Sequence, residues 1–438
     1  MSNKPQLIIR MGSHAEKEYI MKLNHKVFDG IVIGANVVEA TAGATASLIG
    51  KKLNLPYYID PMTYVFGCDL DGIKSEQKKM IQGKKKTVRD YKRSYLGLAD
   101  ELGYVFVNAL KTDTCIQPDI FNPATIKRTC QNVIEYQRNR IVEEFKKDEE
   151  YEEYADAIKP PAGIFSPYFY VNNRRSFELF LELAHATTII ETNLPVYSVL
   201  CADVNSLNDE SFIEKVLEEV PKTGIYGVWL WFSKFDEFES NMKTLRNFKN
   251  LVHGLSKNGL AVFNRHGGYF SMVLNKLGMT GISHGIGYGE KKDVFQIEGP
   301  PNAPVVQYYL PDLFKRFGID NIERCFDELG VTKPQHFHNS ICDCVICKGV
   351  IKNNISEFRE FGETHYARLE SKRETQTPAA AKRSRFHFLM NRIKEKNFIN
   401  KSNLKEIIEK MQESQEKWED LDSVIHFNYL DNWINSLN

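Results

Sequence analysis

Short apolar segments alternate with longer amphipathic ones from the N-terminus to about residue 315, and this alternation constrains the fold of the chain. The short segments are rich in β-branched and aromatic residues and are flanked by Gly, Pro, Asn or Asp, as is typical of strands. The predicted strands are 7–10, 30–34, 56–60, 163–168, 196–202, 225–232, 260–264, 280–285 and 305–310. Repeated strand–helix units predict an α/β fold with a parallel sheet closed as a (β/α)8 TIM-like barrel, and a doubly wound open sheet is the alternative.

Three cysteines lie close together near the C-terminus, in the run Cys342-Asp343-Cys344-Val345-Ile346-Cys347. Thiolates at this spacing can converge on one soft cation, and zinc takes four nitrogen or sulfur ligands in a tetrahedron. An iron–sulfur cluster would need a fourth cysteine, and none follows Cys347. The run therefore predicts a structural zinc site, and the downstream histidines His365 and His387 are the candidates for its fourth ligand.

The composition is that of a folded intracellular protein. Of 438 residues, 42% are hydrophobic and 26% are charged, and no apolar run reaches the roughly 18 residues that a membrane span requires. The first residues lead directly into a strand-like segment without the core of a signal peptide. Eight cysteines, three of them clustered, indicate metal chemistry in a reducing compartment. We expect a cytoplasmic protein with no membrane partner.

Basic and acidic residues balance at 57 each, so binding to nucleic acid would have to use a local patch. One candidate is the segment 78–93, which contains Lys84, Lys85 and Lys86. A second candidate is 382–396, just beyond the cysteine run. The alternative for each patch is a solvated helix face.

The chain divides into a predicted catalytic barrel, residues 1–330, and a zinc-binding and helical C-terminal subdomain, residues 331–438. One insertion, at about 113–160, has no strand signal and contains the charged run 143–150. We expect it to form a helical hairpin on the surface.

Functional residues of a barrel lie at the C-terminal ends of its strands. Two carboxylates occupy such positions, Asp60 and Asp203, and capping of the following helix is the alternative role of Asp60. Two glycine-rich strand ends follow, where backbone N–H groups can approach a flat ligand or a phosphate. The substrate-contacting residues predicted there are Gly267, Gly268, Tyr269, Gly285 and Gly287.

A barrel followed by Cys-x-Cys-x-x-Cys and a later histidine on a basic helix resembles the tRNA-guanine transglycosylase superfamily. The segment 387–394 is similar to the family's ligand-bearing helix, which implies His387 as the fourth zinc ligand and His365 as the alternative. The strand ending at Asp60 is similar to the family strand whose aspartate lies in the base pocket. The Ser-Gly-Gly-Phe-Gln run of the tRNA-acting members is replaced here by Pro61-Met62-Thr63-Tyr64-Val65. This difference favours the DpdA-like branch, which inserts 7-deazaguanines into DNA.

The resemblance implies a glycosyltransferase, a guanine transglycosylase that replaces guanine in DNA with 7-cyano-7-deazaguanine through a covalent aspartyl-nucleoside intermediate. Asp60 is the expected catalytic carboxylate, with Asp203 as its partner and Asp312 behind it. The implied partners are DNA, or alternatively tRNA, and the 7-deazaguanine base, and the need for a partner ATPase stays open. The alternative functions are a tRNA-guanine transglycosylase and a non-catalytic, zinc-containing nucleic-acid-binding protein.

Overall fold

The computed structural model of this α/β protein describes residues 4–13, 16–81, 84–147, 152, 158–297, 305–366 and 374–438. Its strands are β1 (Gln6–Met11), β2 (Gly30–Gly34), β3 (Tyr57–Asp60), β4 (Lys74–Ile81), β5 (Lys84–Tyr91), β6 (Ile164–Phe165), β7 (Tyr170–Val171), β8 (Val196–Asp203), β9 (Gly227–Ser233), β10 (Ala261–Asn264), β11 (Met279–His284), β12 (Tyr308–Leu310), β13 (Lys315–Phe317), β14 (Thr364–Tyr366) and β15 (Glu374–Gln376).

Helices connect most successive strands. In chain order they are α1 (Lys17–Val27), α2 (Ala35–Ala40), α3 (Ala42–Ser47), α4 (Val65–Cys68), α5 (Arg93–Leu102), α6 (Tyr104–Thr112), α7 (Pro123–Lys146), α8 (Arg174–Thr188), α9 (Glu210–Glu219), α10 (Met242–Lys257), α11 (Tyr269–Val273), α12 (Ile319–Arg324), α13 (Pro334–Ser340), α14 (Val345–Val350), α15 (Pro378–Lys401), α16 (Leu404–Trp418) and α17 (Tyr429–Leu437). Within the described residues, no helix is long and apolar enough to cross a membrane.

One parallel, curled sheet organises residues 6–284, about two thirds of the chain. Its strand order is β3-β2-β1-β11-β10-β9-β8-β6, and β7 also pairs with β8. Strands such as β9 are buried along their whole length because side chains cover both faces of the sheet. Among the described residues, no strand pairing joins β3 to β6 at the two ends of this order. The strand pairing therefore does not show the closed barrel that the sequence predicts.

Aromatic side chains fill the interior of the curl. Trp229 of β9 stacks on Phe263 of β10 with ring centroids 4.8 Å apart, and it contacts Phe165 of β6 at 5.1 Å and Tyr58 of β3 at 5.7 Å. Tyr58 and Phe165 come from the two ends of the strand order and lie 5.9 Å apart. Large rings that pack across the sheet in this way hold its two edges near each other.

The strand prediction is confirmed for eight of its nine segments, with changes at their ends. The fourth segment, 163–168, forms two short pieces, β6 and β7, beside the same neighbour. The ninth, 305–310, is not part of the parallel sheet, because β12 pairs only with β13 in an antiparallel hairpin.

The described part of the insertion at 113–160 is largely helical, as predicted. The hairpin stays a prediction, because residues 148–151 and 153–157, which follow the helix, lie outside the described residues. A single long helix, α7, buries one face that includes Val133 and Ile141. Its Arg140 bonds Glu39 of α2 at 2.8 Å, which attaches α7 to α2, and it bonds Glu144 of the charged run at 2.9 Å within α7 itself. Residues 148–150 of that run lie outside the described residues.

The first basic segment is not helical, and the second lies on a helix whose cations are mostly paired. Segment 78–93 forms most of the antiparallel hairpin β4–β5, on which Lys78, Lys86 and Arg89 are exposed. The side chains of 79–85 lie outside the described residues. Segment 382–396 belongs to α15, and most of its cations form internal ion pairs, such as Lys394 with Asp343.

A buried ionic network attaches α15 to the loop that follows the sheet. Glu290 of that loop accepts from Arg316 Nη1 at 2.8 Å and from Arg392 Nη2 of α15 at 3.2 Å. Arg392 also bonds Glu395 at 2.6 Å, and Tyr309 Oη donates to the same carboxylate at 2.6 Å. Burial opposes ionisation of Glu290, but the two guanidinium groups outweigh it and lower its pKa to about 2.

We expect Glu290→Gln to destabilise the protein by about 3 kcal/mol, because the substitution leaves two largely buried guanidinium groups without their shared counter-charge. Urea unfolding monitored by tryptophan fluorescence would show a lower midpoint. Glu218→Gln is the matched control, since Glu218 pairs with Lys222 in an exposed i,i+4 pair, and its midpoint should stay at the wild-type value. Equal midpoints for the wild type and Glu290→Gln would contradict the structural role of the network.

The same pair of proteins gives a pH test. Because the pKa of Glu290 is depressed in the folded state, its stabilising contribution is present above its ordinary pKa of about 4.5 and is lost as the pH falls toward 2. The difference in stability between wild type and Glu290→Gln should therefore shrink over this interval. Other acid-sensitive groups are common to both proteins, so the difference between them is the informative quantity.

Candidate functional site

The four predicted metal ligands form one buried cluster. Cys342, Cys344, Cys347 and His387 offer ligand atoms that all lie within 4.8 Å of one another. His387 Nδ1 is 3.3 Å from the sulfurs of Cys344 and Cys347 and 4.0 Å from that of Cys342. His365, the alternative ligand, lies on the exposed strand β14 and is not part of the cluster. The arrangement is able to hold a metal ion.

The surroundings orient the imidazole toward the sulfurs. The Nε2–H of His387 donates to the carbonyl oxygen of Tyr309 at 2.6 Å, which leaves Nδ1 free to act as a ligand. The ring of Tyr308 stacks on the imidazole at 4.1 Å, and its hydroxyl lies 3.1 Å from the Cys347 sulfur. Cys344 caps α14 by accepting the Cys347 N–H at 3.4 Å, so the local turn brings two thiols to one side.

A cavity of about 650 Å³ opens at the C-terminal ends of the parallel strands. It is lined by residues from several strands and from the loop after β11. These are Arg10, Met11, Gly12, Val32, Gly34, Asn36, Val37, Asp60, Met62, Tyr64, Trp231, Arg265, His266, Tyr288, Gly289, Lys291, Lys292, Gln296 and Ile297. Among the described lining residues, the cations Arg10, Arg265 and Lys291 outnumber the carboxylate of Asp60.

Asp60 ends β3 and is 3% exposed. Its Oδ1 accepts from the Met62 N–H at 3.0 Å and from the Tyr168 hydroxyl at 2.8 Å, and its Oδ2 pairs with Arg265. The bond to Met62, which has a φ of 51°, closes a turn after β3. The alternative role, capping of the following helix, is not what Asp60 does, because the residue before α4 is Tyr64 and no side chain caps that helix. The ion pair gives the same carboxylate a second role, which is to orient a cation at the cavity.

Arg265 follows β10, and its backbone N–H donates to the Leu230 carbonyl at 2.9 Å, which extends the strand pairing by one residue. Its side chain is 4% exposed, yet Nε and Nη1 have no hydrogen-bond partner among the described residues. Burial opposes its charge, but Asp60 outweighs this and raises the Arg265 pKa. A buried guanidinium with open donors needs an acceptor, which a bound anion can supply.

A second cation faces the same space. Arg10 of β1 bonds His266 through Nη1, with an Nη1–Nε2 distance of 2.9 Å, and its Nη2 lies 3.5 Å from the Gly289 carbonyl. Burial and the nearby Arg10 and Arg265 charges hold the pKa of His266 well below its usual range. The imidazole is therefore neutral and accepts from Arg10.

Aromatic rings surround the ion pair of Arg265. Trp231 lies 5.5 Å from the guanidinium carbon of Arg265, and Tyr168 lies 6.0 Å from it on another side. Tyr64 stacks on Tyr168 at 5.5 Å and meets Trp231 edge-on at 4.8 Å. These rings exclude water from the base of the cavity and strengthen the electrostatic interactions there.

The other predicted carboxylates lie elsewhere. Asp203 caps the turn after β8 by accepting the Asn205 N–H at 2.8 Å, and it lines a separate cavity of about 750 Å³. Asp312 pairs with Lys417 at 2.5 Å beside a cavity of about 1100 Å³ near the cysteine cluster. Neither residue lines the cavity of Asp60, so the structure does not bring the predicted pair of carboxylates together.

The first glycine-rich segment, which was predicted to contact the substrate, makes its contacts within the protein instead. Gly268 donates its N–H to the buried carboxylate of Glu237 at 2.8 Å, and the Ser271 N–H donates to the same oxygen at 3.2 Å. Glu237 thus takes the place that an anionic ligand would occupy at the start of α11. Gly267 donates to the Ser283 carbonyl at 3.1 Å, and Tyr269 is buried against Phe314 with ring centroids 3.7 Å apart.

The second glycine-rich run is also packed internally. A Cβ on Gly285 would meet the Tyr288 carbonyl oxygen at 2.4 Å, and one on Gly287 would meet the Arg385 side chain at 3.0 Å. Neither glycine lines the Arg10–Arg265 cavity, whereas Gly289 of the same run does.

Sequence reasoning missed Arg10, Arg265 and Lys292, although Arg10 and Arg265 stand at the ends of correctly predicted strands.

Comparisons with known proteins give distant structural similarity only. No protein-family model matches the chain, and no curated protein sequence matches it. The solved structures include TsXylA, an intracellular xylanase from Thermoanaerobacterium saccharolyticum, with 10% identity and a TM-score of 0.36 over 70% of this chain and 92% of the xylanase. A mutant of that xylanase in complex with xylotetraose has 10% identity and a TM-score of 0.37 over 70% and 91% of the two chains.

The predicted enzyme class, guanine transglycosylase, is contradicted, because these two similar structures are xylanases, which are hydrolases. We therefore do not retain the assignment to guanine transglycosylases. With TM-scores below 0.5, the two xylanases assign no substrate to this chain.

Proposed function

We propose that this protein binds nucleic acid and receives one extruded nucleotide in the Arg10–Arg265 cavity, on a scaffold stabilised by zinc. The observation that carries the proposal is the state of Arg265, which is buried, is oriented by Asp60, and has two nitrogens without a partner at the cavity. Open guanidinium donors suit phosphate oxygens because the planar fork can make two parallel bonds to them.

The size and lining of the cavity also suit a nucleotide. A volume of about 650 Å³ lies within the range of ligand sites that bury a small molecule. Arg10 and Lys291 add positive charge, while Asp60 is already paired, so the cavity favours an anion. Trp231 contributes an aromatic wall beside the cations.

A nucleotide inside a duplex cannot enter a cavity of this kind, so the bound strand has to be single-stranded or to present a flipped nucleotide. The β4–β5 hairpin offers a surface for the rest of the bound nucleic-acid strand. Its exposed Lys78, Lys86 and Arg89 suit phosphates, and Gly72, just before β4, packs against Ile297 of the cavity wall. Phosphate contacts of this type add affinity without reading the base. We propose DNA as the partner and treat RNA as the alternative that the experiment distinguishes.

The proposal takes the curled sheet as a (β/α)8 barrel. Its support is the hydrogen bond between the two sheet edges, in which the Ala162 N–H donates to the Tyr57 carbonyl at 2.7 Å. A barrel would bring the ends of β1, β3 and β10 around one opening, where such folds place their functional sites.

Zinc is the proposed occupant of the cysteine–histidine cluster. Three thiolates and one imidazole are a common structural zinc set, and with four protein ligands no position is open for water. The buried Tyr309 carbonyl, which fixes the His387 tautomer, supports the assignment.

We expect Arg10→Gln to weaken the binding of a fluorescein-labelled, single-stranded DNA about tenfold, since a charge-assisted bond to phosphate contributes about 1.5 kcal/mol or more. Fluorescence anisotropy at fixed salt measures the affinity. Lys257→Gln is the control, because Lys257 is exposed at the end of α10, which leads into the opposite end of β10, and its affinity should equal that of the wild type.

Unchanged affinity in Arg10→Gln, with an unchanged melting temperature, would remove the cavity from nucleic-acid binding. Competition by unlabelled RNA and by duplex DNA of the same sequence identifies the partner. Tighter competition by RNA than by single-stranded DNA would reassign the partner to RNA.

For the metal, freshly purified protein should contain one zinc per chain by elemental analysis. His387→Ala should lower the zinc content, because it removes a ligand, whereas His365→Ala should leave it near one, because His365 is outside the cluster. Protein without zinc, or loss of zinc only in His365→Ala, would contradict the assigned ligand set.

A further inference from the structure

The amine of Lys292 lies in the Arg10–Arg265 cavity in an unusual electrostatic setting. Its Nζ donates to the Ile297 carbonyl at 3.3 Å and lies 5.9 Å from the centre of the Trp231 ring. Among the residues that the structure describes, no carboxylate forms an ion pair with it. A lysine that lines a cavity without a counter-ion is available to react with what the cavity binds.

The backbone of Lys292 is held in place from two sides. Its carbonyl accepts from the indole N–H of Trp231 at 3.2 Å and from the backbone N–H of Lys234 at 3.1 Å. Both donors belong to β9 or to the residue after it, so the rigid sheet positions this part of the loop. The side chain therefore starts from a fixed point at the edge of the cavity.

The charges around the amine favour its neutral form. Burial is the largest effect, followed by Arg10 from β1 and Arg265 after β10, while Asp60 from β3 and Cys201 from β8 act in the opposite direction. The balance lowers the pKa of Lys292 to about 7, whereas an unperturbed lysine has a pKa of about 10.4. A neutral lysine amine is a nucleophile toward carbonyl carbon.

We propose that Lys292 forms an imine with an aldehyde ligand that carries a phosphate group. The amine nitrogen attacks the aldehyde carbon, and a C–N bond forms. The two protons of the amine and the carbonyl oxygen then leave as water, and the C=N bond of the imine remains. Arg10 and the open nitrogens of Arg265 hold the phosphate, and the reaction needs no oxidant or reductant.

This inference uses the anion-binding cavity of the proposed function but does not require nucleic acid. It depends on an amine and a phosphate-binding group in one cavity, and both belong to the described residues. Lys291, the next residue along the chain, provides an internal comparison. It also lines the cavity, but it is exposed and pairs with Asp236 at 2.5 Å.

The test uses pyridoxal 5′-phosphate as the probe on the full-length, zinc-containing protein. The protein is incubated at pH 7 with a low concentration of the probe, the imine is reduced with borohydride, and the modified peptides are quantified by mass spectrometry. We expect modification of Lys292 at least tenfold above that of Lys291, and a yield at Lys292 that rises to its half-maximum near pH 7.

Pyridoxal without the phosphate separates specific binding from general amine reactivity, and it should modify Lys292 at least fivefold less. Lys292→Arg should abolish the modification, whereas Lys291→Arg should retain it. Equal modification of the two lysines, or equal yields with and without the phosphate, would overturn the proposal.

The outcome is separable from that of the proposed function, because the labelling contains no nucleic acid. Labelling without DNA binding would reject the proposed function and keep the imine-forming lysine. DNA binding without selective labelling would reject the imine-forming lysine and keep the proposed function.

Discussion

The candidate site depends on the aromatic packing around Trp229. A parallel sheet left open would hold β3 and β10 far apart, since three strands lie between them in the order. The rings of Tyr58, Phe165 and Phe263 pack on Trp229 from three other strands, and their burial favours the curled form over a flat one. The curl brings the end of β3 next to the end of β10, so that Asp60 can pair with Arg265.

The Asp60–Arg265 ion pair by itself is costly in folding free energy. Both partners are almost fully buried, and desolvation of two charges consumes much of their mutual attraction. The two Arg265 nitrogens without a partner add a further cost, since buried donors are normally satisfied. A stable fold would be easier to build with apolar residues at these positions. Local costs of this kind are typical of sites that are arranged for a ligand rather than for stability.

The cysteine–histidine module and the cavity are connected through α15. This helix carries His387, and one turn later its Arg392 binds Glu290 in the loop after β11. The same loop supplies Gly289 and Lys292 to the cavity. Metal binding that orders α15 therefore also orders one wall of the cavity. The basic character of α15 is explained by these internal pairs, so this helix is not a free patch for nucleic acid.

The glycine-rich runs show why local pattern was a poor guide to the site. Backbone N–H groups at the start of α11 are suited to an anion, as the sequence indicated, but the chain supplies that anion itself through Glu237. Glu237 lies 31 residues before Gly268, and nothing in the local sequence of either segment reveals the contact. Competition of this kind between a ligand and a distant side chain is decided by packing.

The sequence by itself determined the features that depend on local spacing. Strand positions follow from the short apolar segments, and three of the cluster's ligands follow from the spacing of its cysteines. The sequence left both His387 and His365 as candidates for the fourth ligand, and the structure places His387 in the cluster. Only the tertiary structure decided which strand ends converge. Asp203 and Asp60 stand at equivalent positions, each at the end of its strand. Asp60 nevertheless lines the Arg10–Arg265 cavity, and Asp203 lines a separate one. Arg10 and Arg265 lie 255 residues apart in the chain, and the curl of the sheet makes them neighbours. Which strand ends meet depends on how distant strands pack, and the residues next to each strand end in the sequence do not reveal it.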